Sequence, residues 1–192
     1  NIKSNTIGSL NIYEQSLNQE LDFIVAISTD KAAQVVGVYG ATKLLMERLS
    51  KQYEKLNPNC KYRIVRYGNV LYSTGSVLCK WKDLIVEGKE LIVTEPEATR
   101  FFWTVKQAID LILDCMKNAT DSTPYCPDMK SMSIKNLLAA MVEKYGNSNW
   151  ENYPIKIIGL QSGENLHEKV LDKGPFSNET QQFTIEEIKP LI

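Results

Sequence analysis

The sequence predicts an α/β protein built around a doubly wound parallel sheet. Phe23–Ile27 is a short apolar run rich in β-branched side chains, as expected for a strand covered on both faces. Tyr62–Tyr67 is a second run of this kind, and residues 38–56 between them carry apolar side chains at helical spacing, ended by Asn57 and Pro58. A strand, a helix and a strand within about 45 residues make a βαβ unit, whose two strands pair in parallel.

The other elements are predicted from periodicity and from residues that start or stop a helix. We expect an amphipathic helix over residues 3–19, with apolar contacts at Ile7, Leu10, Ile12 and Leu17. A further helix begins after Ser133, which caps it, and stops at Gly146. The remaining predicted elements are a helix at 77–86, a strand at Leu91–Thr94, a helix at 105–117, strands at Tyr125–Pro127 and Ile155–Ile158, and a loop entering a short helix at Gly163–Leu171.

The composition excludes several classes of protein. The 192 residues are 43% hydrophobic and 23% charged, which suits a buried core and does not suit a disordered chain. A formal net charge of −1 without a basic block argues against nucleic-acid binding through phosphate contacts. No apolar run approaches the roughly 20 residues of a membrane span. The cysteine spacing does not fit a zinc site, so we expect no metal, reduced thiols and a cytoplasmic location.

Polar side chains follow both strands of the βαβ unit at their carboxyl ends. Ser28-Thr29-Asp30-Lys31 comes after the first strand, and Tyr67-Gly68-Asn69 ends the second. Open α/β sheets bind ligands outside the carboxyl ends of their strands. Because an aspartate beside a lysine supplies one acid and one base, each of which tunes the other's pKa, Asp30 and Lys31 are candidate catalytic residues. The alternative for this pair is a solvated turn.

A tyrosine and a lysine open the helix between these two strands. Tyr39 and Lys43 are four residues apart, so they share a face of the helix. An ammonium group near a phenol stabilises the phenolate, which makes tyrosine usable as an acid or base near neutral pH. A single YxxxK pair is a weak signal, and its alternative is a surface lysine beside a core tyrosine. Its position next to Asp30 and Lys31 strengthens the catalytic interpretation.

Six motifs in one order resemble the inverting UDP-N-acetylglucosamine 4,6-dehydratases of the extended short-chain dehydrogenase/reductase superfamily. These enzymes serve capsule, O-antigen and flagellin-sugar pathways. The resemblance runs from Ile2 to about residue 171 and implies a partial Rossmann-like sheet plus a small α/β substrate-binding lobe. The motifs are Ser28-Thr29-Asp30-Lys31-Ala32-Ala33, Val38-Tyr39-Gly40-Ala41-Thr42-Lys43, Val65-Arg66-Tyr67-Gly68-Asn69-Val70, Gly75-Ser76-Val77, Thr99-Arg100-Phe101 and Gly163-Glu164-Asn165-Leu166-His167-Glu168.

The resemblance implies a mechanism that uses a tightly held NADP, with NAD as the other option. In that mechanism hydride leaves sugar C4 and later returns to C6. Tyr39, assisted by Lys43, resembles the base for the C4 hydroxyl group. Lys31 resembles the base that removes the C5 proton, and Asp30 resembles the acid that helps to expel water from C6.

The resemblance also implies binding roles, a domain division and an assembly. Residues 1–73 correspond to the latter part of the dinucleotide-binding domain, and 74–192 mainly to the substrate lobe, with about 98–127 returning to the main sheet. Because relatives are commonly hexamers or dimers, we expect a homo-oligomer. The positions that match cofactor-binding residues are Ser28, Tyr39, Lys43 and Tyr67; those that match UDP-sugar-binding residues are Thr29 at the hexose, Asn69, Ser76 and Arg100 at the diphosphate or nucleoside, and Glu164 at the ribose.

The chain also departs from the family pattern. No two of its 10 glycines are separated by a single residue, so the dinucleotide-binding GxGxxG motif cannot be written anywhere. By resemblance, about the first hundred residues of a full enzyme are not in this chain. Cations of the family are missing from Tyr72–Ser76 and Gln161–Asn165, and Gln34–Gly37 replaces an Asn-Pro pair.

Two alternatives to the dehydratase therefore stay open. The first is an inactive fragment that binds a UDP-sugar or serves in assembly, as the absent glycine motif suggests. The second is a C4 epimerase or a reductase on the same scaffold. Asp30 and Lys31 argue against the second, because simple C4 epimerisation needs no base at C5.

Overall fold

The computed structural model describes residues 1–192 and divides them into two units. The first unit contains Asn1–Gly68, Lys106–Asp128 and Lys169–Pro175, and the second contains Asn69–Val105, Met129–Glu168 and Phe176–Ile192. Each unit is therefore built from three separate stretches of chain. The chain passes from the first unit to the second after Gly68. The predicted division between a dinucleotide-binding part and a substrate lobe at residue 73 stays a prediction.

Six α-helices and nine strands follow one another along the chain. The helices are α1 (Ser9–Ser16), α2 (Val38–Leu56), α3 (Val77–Val86), α4 (Val105–Asn118), α5 (Ile134–Gly146) and α6 (Ile185–Ile188). The strands are β1 (Phe23–Thr29), β2 (Lys61–Tyr67), β3 (Asn69–Val70), β4 (Leu91–Val93), β5 (Thr99–Arg100), β6 (Phe102–Trp103), β7 (Pro124–Tyr125), β8 (Met132–Ser133) and β9 (Ile155–Ile157). A π-helical segment covers Ile2–Gly8, and 3₁₀ turns cover Asp30–Ala32 and Trp150–Asn152. None of the helices combines the length and the apolar character that crossing a bilayer requires.

The first unit contains the predicted βαβ unit. Strands β1, β2 and β7 form a sheet in that order, and both pairings are parallel. The register of β1 against β2 runs from Phe23 opposite Lys61 to Thr29 opposite Tyr67, so the two polar clusters end side by side. Helix α2 packs on the sheet through a buried cluster of Ala26, Met46 and Ile64. The predicted helix over residues 38–56 is confirmed in type and in bounds.

The prediction that the first strand is covered on both faces is wrong for this chain. Ala26 and Ser28 are buried on the side that faces α2, but Ile27, which points the other way, is 41% exposed. Strand β1 pairs with β2 alone, so its other edge has no strand partner among the 192 residues. The apolar contacts of this strand lie on the face of Ile24 and Ala26, which pack on the cluster of Tyr13, Tyr53 and Tyr62 and on the cluster of Met46 and Ile64.

The N-terminal helix differs from its prediction in both form and contacts. It begins as the π-helical segment, whose i→i+5 bonding rotates later side chains away from the 3.6-residue count. Ile7, Ile12 and Leu17 are therefore exposed, and only Leu10 of the four predicted contacts packs on the buried cluster. Tyr13 is the residue that anchors this helix, with its ring centroid 5.6 Å from that of Tyr53 and 5.9 Å from that of Tyr62.

The second unit has short strand pairs around a helical core. β3 pairs with β6 and β4 with β9 in parallel, while β5 pairs with β8 antiparallel. Helices α3, α5 and α6 pack together, and buried Trp81, Leu137, Met141 and Ile188 belong to one cluster between them.

One predicted short helix is wrong in its position. Gly163–Leu171 forms turns instead of a loop entering a helix, and the short helix lies later, at Ile185–Ile188. A capping box of Thr184 and Glu187 fixes its start. Helix α5 begins after Ser133, whose side chain accepts from Asn136 N as predicted, and it ends at Gly146 as predicted, with left-handed Asn147 (φ 47°) directly after it.

Candidate active site

A buried aspartate and a partly exposed lysine form an ion pair at the carboxyl end of β1. Lys31 Nζ lies 2.8 Å from Asp30 Oδ2, and the side chains are 36% and 2% exposed. The other oxygen, Oδ1, accepts from the Thr29 hydroxyl at 2.7 Å and from the Lys31 backbone N–H at 2.9 Å. The tight turn Asp30–Ala32 forces this arrangement, because it folds Lys31 back over the preceding carboxylate. The pair therefore has one fixed acidic member and one basic member within reach of solvent.

The first turns of α2 pack against this turn at a glycine. A Cβ built on Gly40 would lie 2.2 Å from the Lys31 carbonyl oxygen and 3.1 Å from its carbon. Only glycine permits so close an approach of a helix to another backbone. Tyr39, 43% exposed, is the neighbour of Gly40, so the same contact fixes the start of the helix beside Lys31. Gly40 belongs to one of the six motifs, but no role was predicted for it from the sequence.

Lys43 is held by the end of β1. Its Nζ donates to the Ile27 carbonyl oxygen at 2.8 Å. Burial lowers the pKa of Lys43, while the carboxylate of Glu47, one helical turn further on, acts to raise it. Burial also raises the pKa of Tyr67, with a smaller contribution in the same direction from Tyr39. Tyr39, Lys43 and Tyr67 thus lie around the end of β1 together with Asp30 and Lys31.

A buried ion pair supports the site from the core side. The Arg66 guanidinium binds both carboxylate oxygens of Glu47, at 2.7 Å from Nε and 2.6 Å from Nη2, and the side chains are 1% and 4% exposed. Arg66 Nη1 also donates to Asp172 at 2.7 Å and to the Val170 carbonyl oxygen at 3.1 Å. Ser28 donates its hydroxyl to Glu47, so in this structure that hydroxyl is directed into the core. Its cofactor-binding role stays a prediction.

Glu47 was not predicted as a supporting residue, although two features of the sequence point to it. Glu47 stands four residues after Lys43, so both lie on one face of α2. Arg66 stands in the otherwise apolar strand run Ile64–Tyr67, where an arginine needs a buried partner.

The predicted substrate-binding residues of the second unit divide into two groups. Asn69 and Arg100 meet at Glu168, whose carboxylate lies 3.3 Å from Asn69 Nδ2 and 3.2 Å from Arg100 Nε. Ser76 and Glu164 lie in other surroundings: Ser76 Oγ contacts Cys79 Sγ at 3.6 Å, and exposed Glu164 accepts from Gln161 N at 3.0 Å. Of the predicted site residues in this unit, the structure therefore brings together Asn69 and Arg100.

Comparison with known proteins gives matches over nearly the whole chain. Residues 1–190 match a family described as "Polysaccharide biosynthesis protein". A Methanocaldococcus jannaschii protein named "Uncharacterized membrane protein MJ1061" is 36% identical over 100% of this chain and 57% of its own length. The inverting UDP-N-acetylglucosamine 4,6-dehydratase of Campylobacter jejuni is 34% identical over 87% of this chain and 48% of its own. A Rickettsia akari relative named UDP-glucose 4-epimerase is 30% identical over 88% and 49%.

Solved structures share the fold as well. Pen from Bacillus thuringiensis superposes with a TM-score of 0.87 and 27% identity, over 100% of this chain and 67% of that one. This likeness confirms the predicted α/β, Rossmann-like fold class. The chain spans about half the length of the curated relatives, 57% of the first and 48% of the dehydratase. The match over residues 1–190 shows that the chain belongs to the polysaccharide biosynthesis protein family.

Proposed function

We propose that this chain supplies the proton-transfer groups of a nucleotide-sugar 4,6-dehydratase that also inverts C5, with UDP-N-acetylglucosamine as its substrate. The observation that carries the proposal is the Asp30–Lys31 pair, fixed at the carboxyl end of β1 beside Tyr39 and Lys43. Such a pair suits elimination of water, which needs a base at one carbon and an acid at the next leaving group. The motif order and the similarity to the C. jejuni dehydratase support the same reaction.

The ion pair reaches its working state by one internal proton transfer. When the Lys31 ammonium gives a proton to Asp30 across their 2.8 Å contact, the products are a neutral amine and a neutral carboxylic acid. The Lys31 amine then takes the C5 proton, and Asp30 protonates the C6 hydroxyl as it leaves as water. A proton delivered to the opposite face of C5, balanced by the hydride that a bound cofactor would return to C6, inverts the C5 centre.

Tyr39 and Lys43 serve the C4 hydroxyl group and one end of a cofactor. A bound nicotinamide dinucleotide, NADP by the resemblance, supplies the hydride acceptor and donor. Lys43, anchored on the Ile27 carbonyl, and half-exposed Tyr39 offer hydrogen-bonding groups that suit ribose hydroxyls, so the residues present fit the nicotinamide end. The pyrophosphate cradle has no GxGxxG counterpart among the 192 residues. Tyr39 accepts the C4 hydroxyl proton, and the Lys43 ammonium stabilises the phenolate.

The test follows exchange of the C5 hydrogen with solvent. The complete gene product that contains this chain is incubated with UDP-N-acetylglucosamine and NADP in deuterium oxide, and the product is analysed by NMR. We expect a 4-keto product that carries deuterium at C5. Lys31→Ala should abolish the deuterium at C5, while Lys55→Ala, which removes an exposed lysine of α2, should leave it unchanged.

Other outcomes separate the alternatives. Unchanged C5 exchange in Lys31→Ala would remove Lys31 from its role. A product altered only at C4, without deuterium at C5, would identify a C4 epimerase instead. Binding of the nucleotide sugar without any turnover by the complete gene product would favour a binding or assembly module.

A further inference from the structure

A buried glutamate joins the two predicted substrate-binding residues that the second unit brings together. The Glu168 side chain is 6% exposed and that of Arg100 is 11% exposed. Oε1 of Glu168 faces Arg100 Nε at 3.2 Å, and Oε2 accepts from Asn69 Nδ2 at 3.3 Å. One carboxylate therefore sets the direction of two side chains that are more than thirty positions apart in the sequence.

A buried serine holds the backbone of Glu168 and contacts Thr99, the residue before Arg100. Ser177, fully buried, accepts from Glu168 N at 2.9 Å and donates its own N–H to the Glu168 carbonyl at 2.8 Å. Its hydroxyl also contacts Thr99, at 2.6 Å from Oγ1 and 3.0 Å from the carbonyl oxygen. Because Thr99 precedes Arg100, Ser177 fixes the backbone of both members of the ion pair relative to one another.

The contacts of Arg100 within this unit use two of its three guanidinium nitrogens. Nη1 donates to the Thr99 and Leu166 carbonyl oxygens, both at 2.9 Å, and Nε faces Glu168. The Nη2 amino group takes no part in these three contacts. Asn69 is held less firmly, because its amide makes two long contacts, 3.3 Å to Glu168 Oε2 and 3.4 Å to the Phe101 carbonyl oxygen. Glu168 is therefore one of the two groups that restrain the Asn69 amide, and the one that a side-chain substitution can remove.

We propose that Glu168 is a positioning residue, which orients Arg100 and Asn69 for the diphosphate of the nucleotide sugar. The inference rests on the proposed function and adds to it a residue that does not touch the sugar. Orienting donors in advance lowers the entropy that binding has to overcome. A fixed guanidinium keeps the N–H groups of Nη2 directed at phosphate oxygens, which a freely rotating one does only part of the time.

The negative charge of Glu168 opposes anion binding, whereas its orientation of Arg100 and Asn69 favours it. The two effects therefore predict opposite changes in UDP affinity when the carboxylate is removed. If the carboxylate acted only by its charge, removing it would tighten anion binding, because a negative group beside a diphosphate is unfavourable. If it acts by orientation, removing it weakens anion binding. Near-complete burial and the serine that fixes its backbone favour orientation, so we expect UDP binding to weaken by about 10- to 100-fold, the range for a buried charged hydrogen bond.

The experiment measures UDP binding to the complete gene product by isothermal titration calorimetry. Glu168→Gln keeps the length of the side chain and removes its charge. Glu168→Asp keeps the charge and shortens the side chain by one methylene, so the carboxylate no longer reaches Arg100 and Asn69. Orientation predicts weaker UDP binding in both variants, with a raised KM for UDP-N-acetylglucosamine and a kcat at saturation within about threefold of the original. The matched control is Glu143→Gln, which breaks a different ion pair of the second unit, between Glu143 and Lys189 at 2.7 Å; this variant should bind UDP normally.

Each remaining outcome has a definite meaning. Equal or tighter UDP binding by Glu168→Gln, or normal binding by Glu168→Asp, would overturn the inference and leave the proposed function intact. Failure of the unaltered protein to bind UDP would instead overturn the proposed function. If Glu168→Gln does not fold, as judged by thermal melting, Glu168→Asp decides the matter alone.

Discussion

Replacing Gly40 with alanine tests whether the contact between α2 and the Asp30–Ala32 turn positions the candidate site. The added Cβ would lie 2.2 Å from the Lys31 carbonyl oxygen, and the obstructing atom belongs to the backbone, so it has no flexible end to give way. Relieving the clash to roughly 3.4 Å, where ordinary van der Waals contact begins, requires a movement of about 1.2 Å between the helix and the turn. That movement acts directly on the backbone of Lys31 and on the neighbour of Tyr39.

Two opposed contributions set the expected change in the free energy of unfolding of Gly40→Ala. Overpacking costs up to about 3 kcal/mol, and the better helix propensity of alanine returns about 1 kcal/mol, so we expect a net loss of about 2 kcal/mol in the free energy of unfolding. For a chain of this size that corresponds to a Tm lowered by roughly 4 to 8 °C. A displacement of 1 Å at a catalytic group costs about 100-fold in rate, so dehydration should slow by about that factor.

The assay pairs thermal melting with the rate of 4-keto product formation by the complete gene product. Gly37→Ser is the matched control: nothing lies within 4 Å of a Cβ at Gly37, and serine is favoured at this helix N-cap position. A Gly40→Ala protein with the original Tm and a rate within about threefold would refute the argument that this close contact positions Lys31.

Two further predictions concern charge around the same site. The pKa of Cys126 is raised to about 12, mainly by burial and further by the negative charges of Asp128 and Asp30. Asp30→Asn should therefore lower the pKa of this thiol and speed its alkylation by iodoacetamide in alkaline buffer. An unchanged alkylation rate would mean that the charge of Asp30 does not act on Cys126. Burial lowers the pKa of Lys43 and Glu47 opposes that shift, so Glu47→Gln should lower the Lys43 pKa further. Because the ammonium form exists below the pKa, the alkaline limb of the activity profile should move to lower pH, and a limb that stays in place or moves upward contradicts this reasoning.

The local part of the fold was predictable because the signals are local. Val38–Leu56 repeats its apolar side chains through nineteen residues and ends at an Asn-Pro pair, so type and bounds both followed from the sequence. The flanking strands are short apolar runs, and their parallel pairing follows from the helix between them. The polar cluster at Asp30 and Lys31 was visible because it interrupts such a run at its carboxyl end.

The supporting contacts of the candidate site depend on pairings between residues far apart in the sequence, and the spacing of apolar residues does not reveal such pairings. Arg66 and Glu47 are each unfavourable when buried alone, and only their partnership, with Ser28 at one carboxylate oxygen, explains their place in the core. Glu168 became visible as a supporting residue only through its contacts to Asn69 and Arg100. The N-terminal helix was misjudged because a π-helical segment breaks the 3.6-residue count on which its predicted contacts rested.

The hydrogen bond from Arg66 to Asp172 can form only late in synthesis, because its acceptor lies near the end of the chain. The two residues are separated by 106 positions, so at 5–20 residues per second the ribosome delivers the aspartate roughly 5 to 20 s after the arginine. During that interval Glu47, synthesised earlier, is the carboxylate already present to neutralise the guanidinium. A nascent chain interrupted before Val170 would leave the arginine short of two acceptors, and we expect such truncated products to be degraded more readily than the finished chain.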